Sequence, residues 1–73
     1  MLEKRSITLA GHATSLALEP EFWAVIDAAR AEDGVSLAGL VARIDAARVA
    51  HDPEQPLSSA VRVWALQRVQ NAR

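Results

Sequence analysis

The chain has 73 residues, 51% of them hydrophobic, and its eight basic and nine acidic side chains give a net charge of −1. It contains no cysteine, which excludes disulfides and zinc sites built on thiolates. A single domain of this size has a marginal core, so we expect it to gain stability as a homodimer. No apolar run approaches the length of a membrane span or a signal peptide, so we expect a soluble cytoplasmic protein with no membrane contact.

Charge is unevenly distributed along the chain. Eight of the nine acids lie in residues 19–54, whereas residues 55–73 contain three arginines and no acid. Near the N-terminus, Lys4 and Arg5 are accompanied only by Glu3. In a homodimer each basic cluster is doubled, so a local positive patch can form on a protein that is acidic overall. The alternative is that these charged side chains simply lie on solvent-exposed helix faces and have no binding role.

Residues 4–18 predict a β ribbon, because apolar and polar side chains alternate in two short runs. The apolar residues carry odd numbers in the first run and even numbers in the second: Ile7 and Leu9, then Leu16 and Leu18. A strand has a side-chain period of two, so one regular strand cannot place both runs on one face. Gly11 and His12 lie between them and allow either a bulged strand, paired with a second copy, or a hairpin. We prefer the bulged strand, and the hairpin remains open.

Three helices are predicted after the ribbon, at residues 20–33, 36–49 and 57–70. Pro20 suits the first position of the first helix, and Gly34 follows as the residue that ends it. A buried stripe is predicted on that helix at Phe22, Val25, Ile26 and Ala29. Ser36 is a good N-cap for the second helix. The third helix is apolar on most sides, so we expect burial across a dimer interface or against a partner protein.

Several short sequence motifs resemble those of a known family. They are Gly11-His12, Thr14-Ser15, Leu18-Glu19-Pro20, Phe22-Trp23, Ile44–Arg48 and Leu57–Arg62. Together they resemble the ribbon-helix-helix family of small bacterial DNA-binding proteins, in a short branch with an added C-terminal helix. The resemblance covers residues 4–68. It implies a mainly α fold with a short N-terminal β ribbon, one domain over residues 1–73, and an intertwined homodimer.

The same resemblance implies a transcriptional regulator whose ribbon enters the major groove of double-stranded DNA. A two-stranded ribbon fits that groove, and a helix N-terminus offers free N–H groups to a phosphate. Mapped onto this chain, the DNA-binding residues are Lys4, Arg5, Ser6, Thr8, His12, Ser15 and Ser36. At Ser36 the phosphate would also meet the amides of Leu37 and Ala38. His12 is alternatively a turn residue that bonds the backbone.

The outward positions of the second run weaken this interpretation. If its leucines point inward, Ala13, Ser15 and Ala17 point outward, and alanine cannot form a bidentate hydrogen bond with a base. Alternatively, the chain keeps the ribbon-helix-helix scaffold but has lost base reading. It would then bind a partner protein through residues 57–70, as an antitoxin does, or a small anionic ligand.

Catalytic and metal-binding patterns are not evident in the sequence. His51 and Asp52 would need further ligands to hold a metal, and no second-helix His-x-x-x-His spacing occurs. Nothing resembles a nucleophile elbow, and so short a chain leaves little room for a substrate pocket. We therefore expect no enzymatic activity, no cofactor and no metal.

Overall fold

A computed structural model describes residues 1–72 of the chain. Its elements in chain order are β1 (Glu3–Leu9), β2 (His12–Leu18), α1 (Pro20–Asp33), α2 (Leu37–His51) and α3 (Leu57–Asn71). The strands form one two-stranded sheet, and the helices pack against one of its faces. This order confirms the predicted ribbon followed by helices, including the additional C-terminal helix. None of these helices is long and apolar enough to cross a membrane.

The ribbon is a hairpin formed within one chain, so our preference for a bulged strand is wrong. β1 and β2 pair antiparallel from Glu3 opposite Leu18 to Leu9 opposite His12. Ala10 and Gly11 form the two-residue turn with φ angles of 50° and 81°. Positive φ at both positions is what a type I′ turn requires. The register places odd-numbered residues of β1 opposite even-numbered residues of β2, which explains the change of parity in the sequence.

The hairpin has an inner face covered by the helices and an outer face open to solvent. On the inner face Ile7, Leu16 and Leu18 are only 5%, 2% and 0% exposed. α2 packs against β1, and α3 packs against β2. The outer face consists of Lys4, Ser6, Thr8, Ala13 and Ser15, all exposed, and the half-buried Ala17. Burial of one face fixes the strand register, because a slip of one residue would expose the inner leucines.

The helices complete a single core beneath the hairpin. Their buried residues are Trp23, Ile26 and Ala29 on α1, Leu40, Val41 and Ile44 on α2, and Ala60, Val61 and Ala65 on α3. The stripe on α1 differs from the predicted one, because Trp23 is buried and Phe22 is only half-buried. The Trp23 indole N–H donates a 2.8 Å hydrogen bond to the Glu3 carbonyl. This bond satisfies the polar group of the buried ring, which otherwise would be costly to desolvate.

Candidate nucleic-acid interface

The outer face of the hairpin is a flat strip of small polar and methyl side chains. Three cross-strand pairs build it: Lys4 opposite Ala17, Ser6 opposite Ser15, and Thr8 opposite Ala13. Opposed side chains on a sheet lie about 5 Å apart, so the two serine hydroxyls are neighbours at the centre of the strip. A lysine at one end and methyl groups at both ends flank them. The strip combines hydrogen-bonding groups with apolar contacts, and Lys4 is its only long side chain.

The charge of this outer face is positive although the chain is acidic overall. Among the lysine and arginine side chains of residues 1–72, Lys4 and Arg43 have no carboxylate of those residues within 4.0 Å. Lys4 lies on the outer face, whereas Arg43 lies on α2 in the helix layer. The outer face itself carries no acidic residue. Its lysine is therefore available to a phosphate or to the acceptor edge of a base.

Two residues that the sequence assigned to the DNA surface lie on the other face of the hairpin. Arg5 is opposite Leu16, and both of its terminal nitrogens donate to the Asp27 carboxylate at 2.8 and 2.9 Å. Its guanidinium also stacks over the Trp23 ring at 4.2 Å from the centroid. His12 is exposed beside the turn, at the end of the inner face. Strand register decides this placement, so we remove both residues from the candidate surface.

The contact between Arg5 and Asp27 fastens β1 to α1. The hydrogen bond from Arg5 holds the pKa of Asp27 below its ordinary value, although partial burial of the carboxyl opposes this shift. Arg30 approaches the same carboxylate at 3.5 Å and acts in the same direction. The cation, the carboxylate and the Trp23 ring form one cluster that spans the strand and the helix. Arg5 thus stabilises the packing of β1 on α1 and does not lie on the outer face of the hairpin.

The arginines of α3 pair with acids at the two ends of α1: Glu19, which precedes its first residue, and Asp33, which is its last residue. Arg62 donates to Glu19 at 2.9 Å, and Arg68 donates to both carboxylate oxygens of Asp33 at 2.8 and 3.0 Å. These hydrogen bonds hold the pKa values of Glu19 and Asp33 below their ordinary range. The two arginines therefore fasten α3 to α1 and leave no free basic patch in this part of the described chain.

The N-terminus of α2 begins at Ser36, where the family resemblance implies a phosphate contact. The Ser36 hydroxyl accepts a hydrogen bond from the Gly39 N–H at 3.0 Å. The amides of Leu37 and Ala38 precede the first intrahelical bond, so they have no acceptor within the helix. A Cβ at Gly39 would lie 3.1 Å from the Ser36 hydroxyl oxygen, so glycine leaves room for this cap. The first turn contains no acidic residue to repel an anion.

The α3 helix presents apolar side chains to solvent. Val63, Leu66 and Val69 are 45%, 53% and 51% exposed, respectively. They follow each other at intervals of three residues and so form one stripe on the helix. The predicted burial of α3 on most sides is therefore incomplete within one chain. In residues 1–72 we find no group of three or more side chains arranged to hold a metal ion.

A family model described as the ribbon-helix-helix domain matches residues 2–69 of the chain. The chain belongs to the ribbon-helix-helix family. Ribbon-helix-helix proteins are generally DNA-binding transcription regulators without enzymatic activity, and they usually form dimers. No curated protein and no solved structure matches the chain.

The ribbon-helix-helix match extends from the start of the hairpin well into α3. The additional helix is therefore covered by the same family model. Of the predicted DNA-binding residues, the hairpin brings Lys4, Ser6, Thr8 and Ser15 together on one exposed face. Ser36 lies apart from them, at the start of α2. In the sequence, the alternation of polar and apolar residues within each of the two runs indicated that these four side chains share a face.

Proposed function

We propose that this ribbon-helix-helix chain is a homodimeric transcriptional regulator that binds duplex DNA with the outer face of its hairpin. The observation that supports this most is the contrast between the two faces. The inner face is buried in the core, whereas the outer face is exposed, polar and free of carboxylates, with an unpaired lysine. The protein would act in the cytoplasm by occupying a short operator.

In this proposal the centre of the outer face reads base edges. The hydroxyls of Ser6 and Ser15 can donate to or accept from any base in the major groove. The methyl groups of Thr8, Ala13 and Ala17 can contact the C5-methyl of thymine, which is the apolar feature of that groove. Discrimination by single hydroxyls is weaker than by bidentate pairs, so we expect modest selectivity from each position.

Phosphate contacts would fix the position of the hairpin in the groove. Lys4 is one contact, and the amides of Leu37 and Ala38 at the start of α2 are the other. Each neutralised phosphate releases counterions, so the logarithm of the affinity falls with the logarithm of the salt concentration by about 0.9 per phosphate. Two copies of Lys4 therefore predict about a tenfold loss of affinity between about 50 and about 200 mM salt.

A fluorescence-anisotropy titration tests this proposal. The probe is duplex DNA from upstream of the protein's own coding sequence, with a scrambled duplex of equal length beside it. We expect preference for the upstream duplex at both salt concentrations. Ser15→Ala should weaken that binding about tenfold in a homodimer, since each copy loses a hydroxyl worth somewhat under 1 kcal/mol.

Matched variants separate the outer face from the general charge of the protein. Lys4→Gln should weaken binding to both duplexes and reduce the salt dependence, because it removes a phosphate contact. Arg43→Gln removes an equal charge from the helix layer and should leave both properties unchanged. Equal effects of the two variants, or equal binding to the two duplexes, would contradict the proposal.

A second candidate function is supported by the exposed stripe of α3. The chain would keep the scaffold and bind a partner protein through Val63, Leu66 and Val69, as an antitoxin does. Exposed apolar side chains arranged in a stripe are typical of such contact sites. In a pull-down, Leu66→Ser should then release a stoichiometric partner. Val49→Ser, at an equally exposed position on α2, should retain it.

A further inference from the structure

The two edges of the hairpin differ in charge. Within residues 1–72 the sheet has two strands, so each strand has one edge without a strand partner. β1 carries Glu3, Lys4 and Arg5 in succession, whereas β2 carries no lysine, arginine or acid. Charged residues, lysine above all, are a common means by which proteins keep an edge strand from pairing with another chain. A further strand therefore pairs more readily on the edge of β2.

The backbone groups at the edge of β2 follow from the geometry of the turn. Leu9 and His12 flank a two-residue turn, so they are a hydrogen-bonded pair. Bonded and non-bonded pairs alternate along an antiparallel ladder. Ala13, Ser15 and Ala17 therefore direct their N–H and C=O groups away from β1. The edge of β2 thus offers a row of backbone donors and acceptors, which is a template for another strand.

These groups fit a second copy of the same strand. β2 spans seven residues with Ser15 at its centre. If two copies pair antiparallel about a twofold axis at Ser15, that residue faces its equivalent, and Ala13 faces Ala17 of the second copy. Every donor and acceptor of this row is then bonded. A twofold axis at Thr14 or Leu16 would leave part of each strand unpaired, so the length of β2 selects this register.

An exposed apolar surface lies on the same side of the chain as the edge of β2. α3 packs against β2, whereas α2 packs against β1. α3 also carries the exposed stripe of Val63, Leu66 and Val69. A second copy paired along β2 brings the two α3 helices close together, so it can bury part of both stripes. β1 stays in place on the far side, because Arg5 binds Asp27 of α1.

Pairing through β2 makes a sheet of four strands, with the two β2 strands inside and the two β1 strands outside. Neighbouring strands lie about 4.8 Å apart, so the outer strands are about 14 Å apart. The major groove is about 12 Å wide, and its walls are the two rows of phosphates. The inner strands therefore fall within the groove, and the outer strands fall over its walls.

The side chains on the outer face match these two positions. β1 contributes Lys4, Ser6 and Thr8, which are a cation and two hydroxyls. Such groups are among those that bind phosphate oxygens in protein–DNA complexes. β2 contributes only methyl groups and the Ser15 hydroxyl to this face. These short groups let the backbone approach the bases, and they can contact a thymine methyl or a base edge.

We propose that two copies pair through β2 into a four-stranded sheet whose inner strands read bases and whose outer strands hold the phosphates on both sides of the groove. This inference rests on the proposed DNA binding and divides its contacts between the strands. Ser15 of both copies reads bases, whereas Lys4, Ser6 and Thr8 contact phosphates. The reading surface is incomplete in one subunit, because each copy supplies one of its two inner strands.

Single-cysteine variants test the four-stranded sheet, and Ser15→Cys and Ser6→Cys are a matched pair. The natural chain has no cysteine, so each variant carries one thiol per subunit. Ser6 and Ser15 are cross-strand partners and are exposed on the same face. In the proposed sheet the two Ser15 residues have Cα atoms about 5.5 Å apart, which suits a disulfide. The two Ser6 residues are about 14 Å apart, which is too far.

After mild oxidation, Ser15→Cys should give a covalent dimer on a non-reducing gel, and Ser6→Cys should not. Circular dichroism melts of the reduced variants establish that both are folded. A covalent dimer from Ser6→Cys alone would show that the copies pair through β1. Equal amounts of dimer from both variants, or none from either, would also contradict the proposed sheet.

Alanine variants at the same two positions test the division of contacts. Ser15→Ala should lower the preference for the upstream duplex over the scrambled duplex about tenfold, since both copies lose a base contact. Ser6→Ala should weaken binding to both duplexes by similar factors and leave that preference within about twofold, because a phosphate contact carries no sequence information.

The outcomes of the alanine variants separate this inference from the proposed function. A loss of preference in Ser6→Ala that equals or exceeds the loss in Ser15→Ala would overturn the division of contacts, while the proposed function stands. Absence of DNA binding by the wild-type protein would overturn the proposed function and the division of contacts with it. The cysteine variants would still decide whether the four-stranded sheet forms.

Wild-type protein gives an independent measurement of the strand pairing. Labelled and unlabelled chains are mixed, and an isotope-filtered NMR experiment detects contacts between different molecules. In the proposed register Thr14 faces Leu16 of the second copy in a non-hydrogen-bonded pair, whose Cα atoms are about 4.5 Å apart. Their Hα atoms should therefore give a signal between chains. Absence of that signal, or a signal between the two β1 strands in its place, would contradict the inference.

Discussion

The turn of the hairpin offers a sharp test of the fold, because Ala10 occupies a conformation that alanine disfavours. Its φ of 50° is left-handed, which costs an alanine about 1–2 kcal/mol relative to its preferred conformations. Asparagine tolerates this region, and Asn-Gly is the preferred pair for a type I′ turn. We therefore expect Ala10→Asn to stabilise the protein by about 0.5–1 kcal/mol. In a domain of this size that corresponds to a rise in Tm of about 2–8 °C.

The assay is thermal unfolding followed by circular dichroism, with urea unfolding as a second measure. Gly11→Ala should destabilise the protein by about 1 kcal/mol, because the φ of 81° at Gly11 is unfavourable for alanine. No atom lies within 4 Å of a Cβ placed there, so the loss would report the backbone conformation and not a steric clash. Ala13→Asn is the matched control, since Ala13 is an exposed strand position where asparagine is slightly unfavourable. If Ala10→Asn destabilised the protein as much as Ala13→Asn does, residues 10 and 11 would not form this turn.

Four further predictions concern stability and the anion site. Arg5→Met and Asp27→Asn should show a coupling free energy of about 1 kcal/mol in a double-mutant cycle measured by urea unfolding. The value is modest because the pair is bidentate but about a third exposed to solvent. Additive effects of the two substitutions would contradict the pairing. Because the folded-state pKa of Asp27 is lowered from 3.8, its stabilisation is present above the unfolded-state pKa and is lost as the pH falls through the folded value. Wild type should therefore lose more stability than Asp27→Asn on acidification from about pH 5 to about pH 2, and parallel losses would refute this. Ser36→Ala should cost about 1 kcal/mol through loss of the N-cap, whereas Ser36→Asp should restore stability but repel a phosphate in the anisotropy assay. Leu18→Ala, at a fully buried position, should cost about 3 kcal/mol, and a loss below about 1 kcal/mol would show that the inner face is not packed as described.

The helices could be predicted closely from the sequence, because their ends carry local signals. Residues 20–33 were predicted for the first helix, and α1 spans Pro20–Asp33. Pro20 fixes its start, and Gly34, with a φ of 67°, follows its end. Ser36 at the start of α2 is a side-chain cap whose partner lies three residues away. Such signals involve neighbours in sequence and need no knowledge of the tertiary fold.

The hairpin and the role of Arg5 could not be decided from the sequence. The change of parity between the two runs was visible, but Ala10 is an unusual residue for a type I′ turn and did not indicate one. Arg5 lies next to Lys4 and has the same charge, yet strand register turns it toward Asp27, which is 22 residues away. Likewise Arg62 and Arg68 meet acids at the two ends of α1 only because α3 returns to pack against that helix. Long-range pairing decides which charges remain free.

Amide NMR chemical-shift mapping tests the central claim most directly, because it locates bound DNA on the protein without any substitution. Isotope-labelled protein is titrated with the upstream duplex, and the shift of each backbone amide is followed. If the outer face of the hairpin reads DNA, the largest shifts should fall in residues 4–8 and 13–17 and at Leu37 and Ala38. Shifts confined to residues 57–71, with the hairpin unchanged, would contradict the claim and assign the contact to α3.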